Sequence, residues 1–117
     1  MTDAAVRVPA GPGAPGEGGS VRFRIALDGV ERLAFVVRWH GTLHAFVNTC
    51  RHQSLALDLG DGRFLDGDDI VCAQHGARYR PDTVECTDGP CRGAFLTRLA
   101  LEERGGELWC TGRAPRG

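Results

Sequence analysis

Two short segments of the chain each place a cysteine just ahead of a histidine. Cys50-Arg-His52 reads C-x-H and Cys72-Ala-Gln-His75 reads C-x-x-H, in a chain that has only four histidines and five cysteines. Thiolate and imidazole are side-chain ligands that suit zinc and the iron of iron–sulfur clusters. We therefore predict that both segments bind metal, and that the ligands are Cys50, His52, Cys72 and His75.

Zinc is one metal that such a set of ligands can bind, because it accepts a tetrahedral arrangement of two cysteines and two histidines. The spacing alone therefore leaves zinc open. A classical zinc finger, however, has both cysteines on one arm and both histidines on the other, whereas each arm here carries one of each. A [2Fe–2S] cluster with mixed ligands accounts better for this pattern, since one of its irons takes two cysteines and the other takes two histidines.

The sequence around these segments predicts an all-β domain. The stretch SVRFRIAL, from Ser20, alternates apolar and polar residues as a half-buried strand does. Two further pairs of β-rich runs, joined near Gly41 and near Gly105, are typical of hairpins. Between Cys50 and Cys91 the pattern breaks into short pieces rich in Gly, Asp and Pro. We expect the strands to form a scaffold and this loop-built middle part to carry the site.

The two ligand segments resemble the paired-loop signature of Rieske iron–sulfur proteins, and the resemblance extends over most of residues 21–112. It implies a Rieske-type antiparallel β-sandwich or barrel with a loop-built cluster-binding subdomain. It also implies one Rieske-type [2Fe–2S] cluster per chain. Cys50 and Cys72 would bind the inner iron of this cluster, and the outer iron would be bound by His52 and His75.

Residues near the signature refine this resemblance. Pro90, within TDGPCRG, lies where the family has a loop that covers the third side of the cluster. High-potential Rieske proteins offer a tyrosine and a serine hydroxyl to the cluster and its cysteine sulfur; Tyr79 matches the tyrosine, but Ala77 replaces the serine. The extra cysteine in each of their ligand loops is also missing here. Fewer donors stabilise the reduced charge less, so we expect a low-to-intermediate reduction potential.

The remaining cysteines and histidines have more ordinary interpretations. We interpret Cys86 and Cys91 as small buried thiols beside the third loop, and Cys110 as a core residue of a strand. His40 falls in a predicted turn and His44 in a predicted strand, and neither has a cysteine at ligand spacing.

Five aspartates lie between the two ligand segments, and their role can be interpreted in two ways. An acidic patch can steer a basic redox partner by complementary charge. Aspartate is also a residue that polar turns prefer, and we interpret most of these side chains as turn formers. The residues are Asp58, Asp61, Asp66, Asp68 and Asp69.

Composition limits the remaining classes of function. Formal net charge is -1, so the chain lacks the excess of positive charge that nucleic-acid binding requires. No apolar run approaches the ~20 residues of a membrane helix, and the N-terminus lacks the basic-then-apolar pattern of a secretion signal. We expect a cytoplasmic protein that binds neither nucleic acid nor membrane. Residues 1–19 are rich in Gly, Pro and Ala, which predicts a flexible tail ahead of one domain over residues 20–117.

The resemblance also implies a function. A Rieske cluster moves one electron and does not itself make or break substrate bonds, and oxygenases carry a larger catalytic domain that we do not expect in 117 residues. We therefore expect a one-electron carrier that accepts electrons from an NAD(P)H-dependent flavin reductase and passes them to a terminal oxygenase. One alternative is a small Rieske subunit of a larger oxidoreductase such as nitrite reductase, and another is a structural zinc module.

Overall fold

The computed structural model describes residues 5–9, 15–49, 57, 64–72, 76–89 and 92–114. In this part of the chain there are two antiparallel sheets and no helix, which confirms the predicted all-β fold. The strands are β1 (Val6–Arg7), β2 (Ser20–Leu27), β3 (Val30–Trp39), β4 (Thr42–Val47), β5 (Leu65–Asp66), β6 (Asp69–Val71), β7 (Arg78–Tyr79), β8 (Cys86–Asp88), β9 (Arg98–Arg104) and β10 (Glu107–Arg113). The described residues therefore contain no helix that is long and apolar enough to cross a membrane.

The larger sheet has six strands in the order β1-β10-β9-β4-β3-β2. The predicted hairpin at His40-Gly41 is confirmed, and it joins β3 to β4. Both turn residues have positive φ, 51° and 79°, as a two-residue hairpin turn of type I′ requires. The second predicted hairpin joins β9 to β10 at Gly105-Gly106.

Strand β3 explains how the fold builds two cores. Successive side chains of a strand point to opposite faces, and on β3 both faces are buried from Ala34 to Val37. Val36 packs inside the barrel-like sheet, whereas Phe35 packs on its other face. The barrel core consists of Val8, Phe23, Ile25, Leu27, Ala34, Val36, Ala45, Val47, Leu99, Leu108 and Cys110.

A second, four-stranded sheet in the order β5-β6-β7-β8 covers the outer face of β3 and β4. Its strands are two or three residues long, which is why the sequence pattern of this region indicated only loops. The core between the two sheets, here called the inter-sheet core, consists of Phe35, Val37, Phe46, Leu57, Phe64, Ile70, Cys72, Ala77, Tyr79, Val84, Cys86 and Leu96.

Part of the segment expected to be a flexible tail, residues 6–8, pairs with the six-stranded sheet. Val6 and Arg7 form β1, which pairs with β10 at the edge of the six-stranded sheet. Val8 is 0% exposed in the barrel core, and its amide donates to the carbonyl of Leu108 at 2.8 Å. Val6 and Val8 are enough to attach this segment, because they extend a sheet and a core that the rest of the chain already forms.

Residues 15–19 are also fixed to the sheet. The carboxylate of Glu17 accepts hydrogen bonds from the amides of Gly41 and His40, both at 2.8 Å. These two bonds lower the pKa of Glu17 below its ordinary value. The segment therefore caps the β3–β4 turn.

We expect the Val8→Ala substitution to lower the free energy of unfolding by about 2 kcal/mol, because it leaves a small cavity in the barrel core. Urea unfolding measures this loss. Arg7→Ala is the control, since that side chain is 60% exposed and its ion pair with Glu107 contributes little. A Val8→Ala protein as stable as wild type would favour the interpretation of this segment as a flexible tail.

Candidate metal centre

Of the four predicted ligands, the structure describes Cys72. Cys50, His52 and His75 lie outside the described residues, as does Pro90. Cys72 follows directly after β6, is 0% exposed and belongs to the inter-sheet core. The scaffold of the site is therefore defined by Cys72 and by the residues that flank the other ligand segments.

The flanks of the second ligand segment, between β6 and β7, are hydrogen-bonded to each other. The amide of Cys72 donates to the carbonyl of Ala77, and the amide of Gly76 donates to the carbonyl of Cys72, both at 2.8 Å. Gly76 has a φ of 72°, a left-handed conformation that glycine adopts without strain. The chain thus enters and leaves residues 73–75 at adjacent, hydrogen-bonded points.

The flanks of the first ligand segment are also joined. The side-chain oxygen of Asn48 accepts a hydrogen bond from the amide of Leu57 at 2.7 Å. Leu57 is 0% exposed and packs in the same inter-sheet core as Cys72 and Ala77. The tertiary structure therefore brings the flanks of both predicted ligand segments onto one apolar base.

A third segment packs directly against the second. Gly89 has a φ of 98°, and a Cβ atom placed on it would lie 2.8 Å from the Cα of Ala77. Only glycine permits this approach of the residue before Pro90 to the backbone that follows the second ligand segment. The thiol of Cys86 donates to the carbonyl of Asp88, the residue before Gly89, at 3.2 Å.

The sequence of the chain matches the family described as Rieske [2Fe-2S] domain over residues 17–102, well over half of its length. The chain belongs to the Rieske [2Fe–2S] domain family. The family's cofactor, a Rieske-type [2Fe–2S] cluster, is thereby the cofactor of this chain. This agrees with the resemblance found in the two ligand segments.

Solved structures show the same fold. The ferredoxin of carbazole 1,9a-dioxygenase from Nocardioides aromaticivorans IC177 is 26% identical with a TM-score of 0.72, and the match covers 93% of this chain and 98% of that one. The Sphingomonas yanoikuyae B1 ferredoxin is 19% identical with a TM-score of 0.67, over 94% and 98%. The terminal oxygenase from the Nocardioides strain is 15% identical with a TM-score of 0.75, over 100% and 32%. A search of curated proteins found no match.

The described residues fit a Rieske cluster in their chemistry. Cys72 lies in an apolar core, where an isolated thiolate is unfavourable. Binding to iron would remove that penalty, because the metal would supply the compensating positive charge. The Gly89–Ala77 contact adds the close approach of a third segment that the family resemblance implies for Pro90.

Two of the remaining cysteines and Tyr79 are buried. Cys86 and Cys110 are at most 1% exposed, which confirms that they are buried, whereas Cys91 lies outside the described residues. Tyr79 is 0% exposed in the same core as Cys72. Its hydrogen bond to the cluster or to cysteine sulfur stays a prediction.

The aspartates of the β5–β6 hairpin are compensated within the chain. Asp66 and Asp69 both form ion pairs with Arg78, whose pKa is raised by the hydrogen bonds with these two carboxylates. Asp68 accepts a hydrogen bond from the ring of His40 at 2.9 Å. This supports the turn-forming interpretation over an acidic docking patch. Asp58 and Asp61 lie outside the described residues.

Arg98 joins the two sheets in a way that the sequence did not indicate. Its guanidinium donates to the carbonyls of Pro81 and Asp82 in the β7–β8 turn. It also lies 3.2 Å from Nδ1 of His44 and 5.6 Å from the ring centroid of Phe46. No local pattern marks an arginine for this role, because its partners lie 16 or more residues away.

Trp39 makes a second connection between the sheets. Its indole Nε1–H donates to the carbonyl of Asp68 at 3.0 Å. The ring of His40 stacks on it at 3.9 Å, and the Arg80 guanidinium lies 5.9 Å from its centroid. Together with Arg98, these contacts fix the four-stranded sheet, and with it Cys72, on β3 and β4.

We expect the Gly89→Ala substitution to destabilise the Rieske domain by about 2 kcal/mol or more, because both the positive φ and the contact with Ala77 are unfavourable for alanine. Gly93→Ala is a matched control: its φ is 90°, but nothing lies within 4 Å of the added methyl group. Urea unfolding of both variants isolates the contact. Equal losses in the two proteins would show that the contact with Ala77 contributes nothing.

We expect His44 to make stability fall at acidic pH. Burial, and then the charge of Arg98, lowers the pKa of His44, so the folded state binds fewer protons than the unfolded chain. Stability is therefore lost as pH falls below the ordinary histidine value of ~6.5, by at most about 1.4 kcal/mol per pH unit.

Unfolding of wild type and of His44→Gln between pH 7.5 and 5.0 measures this effect, because glutamine keeps a hydrogen-bond acceptor for Arg98 but does not titrate in this range. The wild-type protein should lose more stability than the variant. Equal slopes would show that His44 is not responsible. The titration of every other group cancels in the difference.

Proposed function

We propose that this Rieske domain is a one-electron carrier that accepts electrons from an NAD(P)H-dependent flavin reductase and passes them to a terminal oxygenase. One observation carries the proposal. The chain is 26% identical to the ferredoxin of carbazole 1,9a-dioxygenase with a TM-score of 0.72, and the match covers 93% of this chain and 98% of that ferredoxin. The cytoplasm, where NAD(P)H is available to such a reductase, is the compartment we propose for it.

We propose that Cys50 and Cys72 bind one iron through thiolates, and that His52 and His75 bind the other through imidazole nitrogens. The burial of Cys72 in the inter-sheet core supports its place on the inner side of the site. The hydrogen-bonded flanks of both ligand segments support a paired-loop arrangement. When bound, a Rieske cluster accepts and releases a single electron.

The protein's own residues have two tasks in this function. Close packing of the inter-sheet core excludes water from the side of Cys72 and resists rearrangement. Among the described residues, Ala77 stands where high-potential proteins offer a serine hydroxyl, so we expect the reduced charge to be stabilised less and the reduction potential to be low to intermediate. Ala77, fully buried where high-potential proteins have serine, supports this expectation.

The first test is an EPR spectrum of anaerobically purified protein after reduction with dithionite, with iron and zinc quantified on the same sample. We expect two irons per chain and a rhombic signal whose average g value lies below that of all-cysteine clusters. About one zinc per chain without an EPR signal would contradict the proposal and leave a structural zinc module.

Ligand variants test the assignment of residues. We expect Cys72→Ser and His75→Asn to abolish the rhombic signal, because each removes one bond to iron. His40→Asn should keep the signal, since His40 contacts Asp68 on the β5–β6 hairpin. A full signal in His75→Asn would exclude that histidine as a ligand.

A further inference from the structure

We infer that Asn48 is a positioning residue for the cluster, because its side chain closes the first ligand segment. The inference rests on the proposed roles of Cys50 and His52, which lie within this segment. Asn48 itself stands two residues before Cys50 and is not proposed to touch iron.

The backbone at Asn48 is fixed by two neighbouring parts of the sheet. The amide of Asn48 donates to the carbonyl of Leu33 on β3 at 2.8 Å. One residue earlier, the amide of Val47 donates to the carbonyl of Thr97 at 3.0 Å. The side chain of Asn48 therefore projects from a rigid element, as the support of a functional site requires.

Packing alone does not account for an asparagine at this position. Asn48 is 5% exposed, and it is the one polar residue among the buried residues that the structure describes. A buried amide costs stability unless it is hydrogen-bonded, and an apolar side chain of similar size avoids that cost. The side-chain oxygen of Asn48 accepts a buried hydrogen bond from the backbone amide of Leu57 at 2.7 Å. This bond is a specific reason for an asparagine at this position.

The partner of this bond connects the barrel to the core around Cys72. Leu57 is 0% exposed and packs in the inter-sheet core, to which Cys72 also belongs. The bond therefore fixes one end of the segment to β4 and the other to the apolar base of the site. Closing a segment in this way reduces the number of conformations that its ligands can adopt.

The two ligand segments are closed by different bonds. Backbone bonds between Cys72, Gly76 and Ala77 close the second segment without help from a side chain. The first segment depends on the side chain of Asn48 for its described closure. Loss of the Asn48 oxygen should therefore loosen the attachment of Cys50 and His52 while the second segment keeps its own bonds.

The experiment compares two substitutions at this position in the cluster-loaded protein. Asn48→Leu keeps the approximate shape of the side chain but removes the hydrogen-bond acceptor. Asn48→Asp keeps an oxygen that can accept the hydrogen bond from the amide of Leu57. Bleaching of the visible absorbance in the presence of an iron chelator gives the rate of cluster loss, and EPR reports the cluster that remains. We expect Asn48→Leu to lose its cluster about ten-fold or more faster than wild type, and Asn48→Asp to stay within about three-fold.

Leu108→Ala controls for a general loss of stability, because Leu108 is 2% exposed in the barrel core and belongs to the other cluster of buried residues. Its urea midpoint should fall at least as far as that of Asn48→Leu, while its rate of cluster loss stays within about three-fold of wild type. Equal rates in Asn48→Leu and Leu108→Ala, or equal rates in the Leu and Asp variants, would overturn the inference.

Hydrogen exchange of the wild-type protein tests the bond directly and does not depend on the folding of any variant. We expect the amide of Leu57 to be protected as strongly as that of Val47, and exchange at the rate of an open loop would refute the closure. Wild-type protein without iron would refute the proposed ligands. Wild-type protein with two irons whose loss is insensitive to Asn48→Leu would refute only the role of Asn48.

Discussion

Burial of the four-stranded sheet against β3 and β4 is the interaction on which the candidate site depends. The small sheet has strands of two or three residues, and strands this short are not stable by themselves. Phe35 and Phe46 from the larger sheet, with Ile70 and Tyr79 from the smaller one, are almost completely buried between them. Because Cys72 belongs to the same core, this burial also decides where the predicted ligand lies.

Hydrogen bonds from polar side chains to the backbone add to the stabilisation that apolar burial provides. Asn48 binds the amide of Leu57, Arg98 binds the carbonyl of Pro81, and Glu17 binds two amides of the β3–β4 turn. In each case a side chain satisfies a backbone group that lies outside the ladders of the sheets. The amide of Leu57 needs such a partner most, because a buried backbone group is costly without a hydrogen bond.

A rigid base suits an electron carrier. Electron transfer by a Rieske domain changes the charge of its cluster and leaves covalent bonds of the protein intact, so the protein has to hold the ligands with little movement. The close-packed core beneath Cys72 and the hydrogen-bonded flanks of both ligand segments meet this requirement.

The sequence by itself determined the features that depend on neighbouring residues: the paired Cys/His signature, the all-β pattern and the hairpin turns near Gly41 and Gly105. It did not reveal the small sheet, because strands of two or three residues show no periodicity. Nor did it reveal β1 or the bond from Asn48 to Leu57. Only the tertiary structure decided these features. Val6 pairs with Cys110, which lies near the other end of the sequence. The contribution of Asn48 to stability depends on the backbone amide that folding brings next to its side chain.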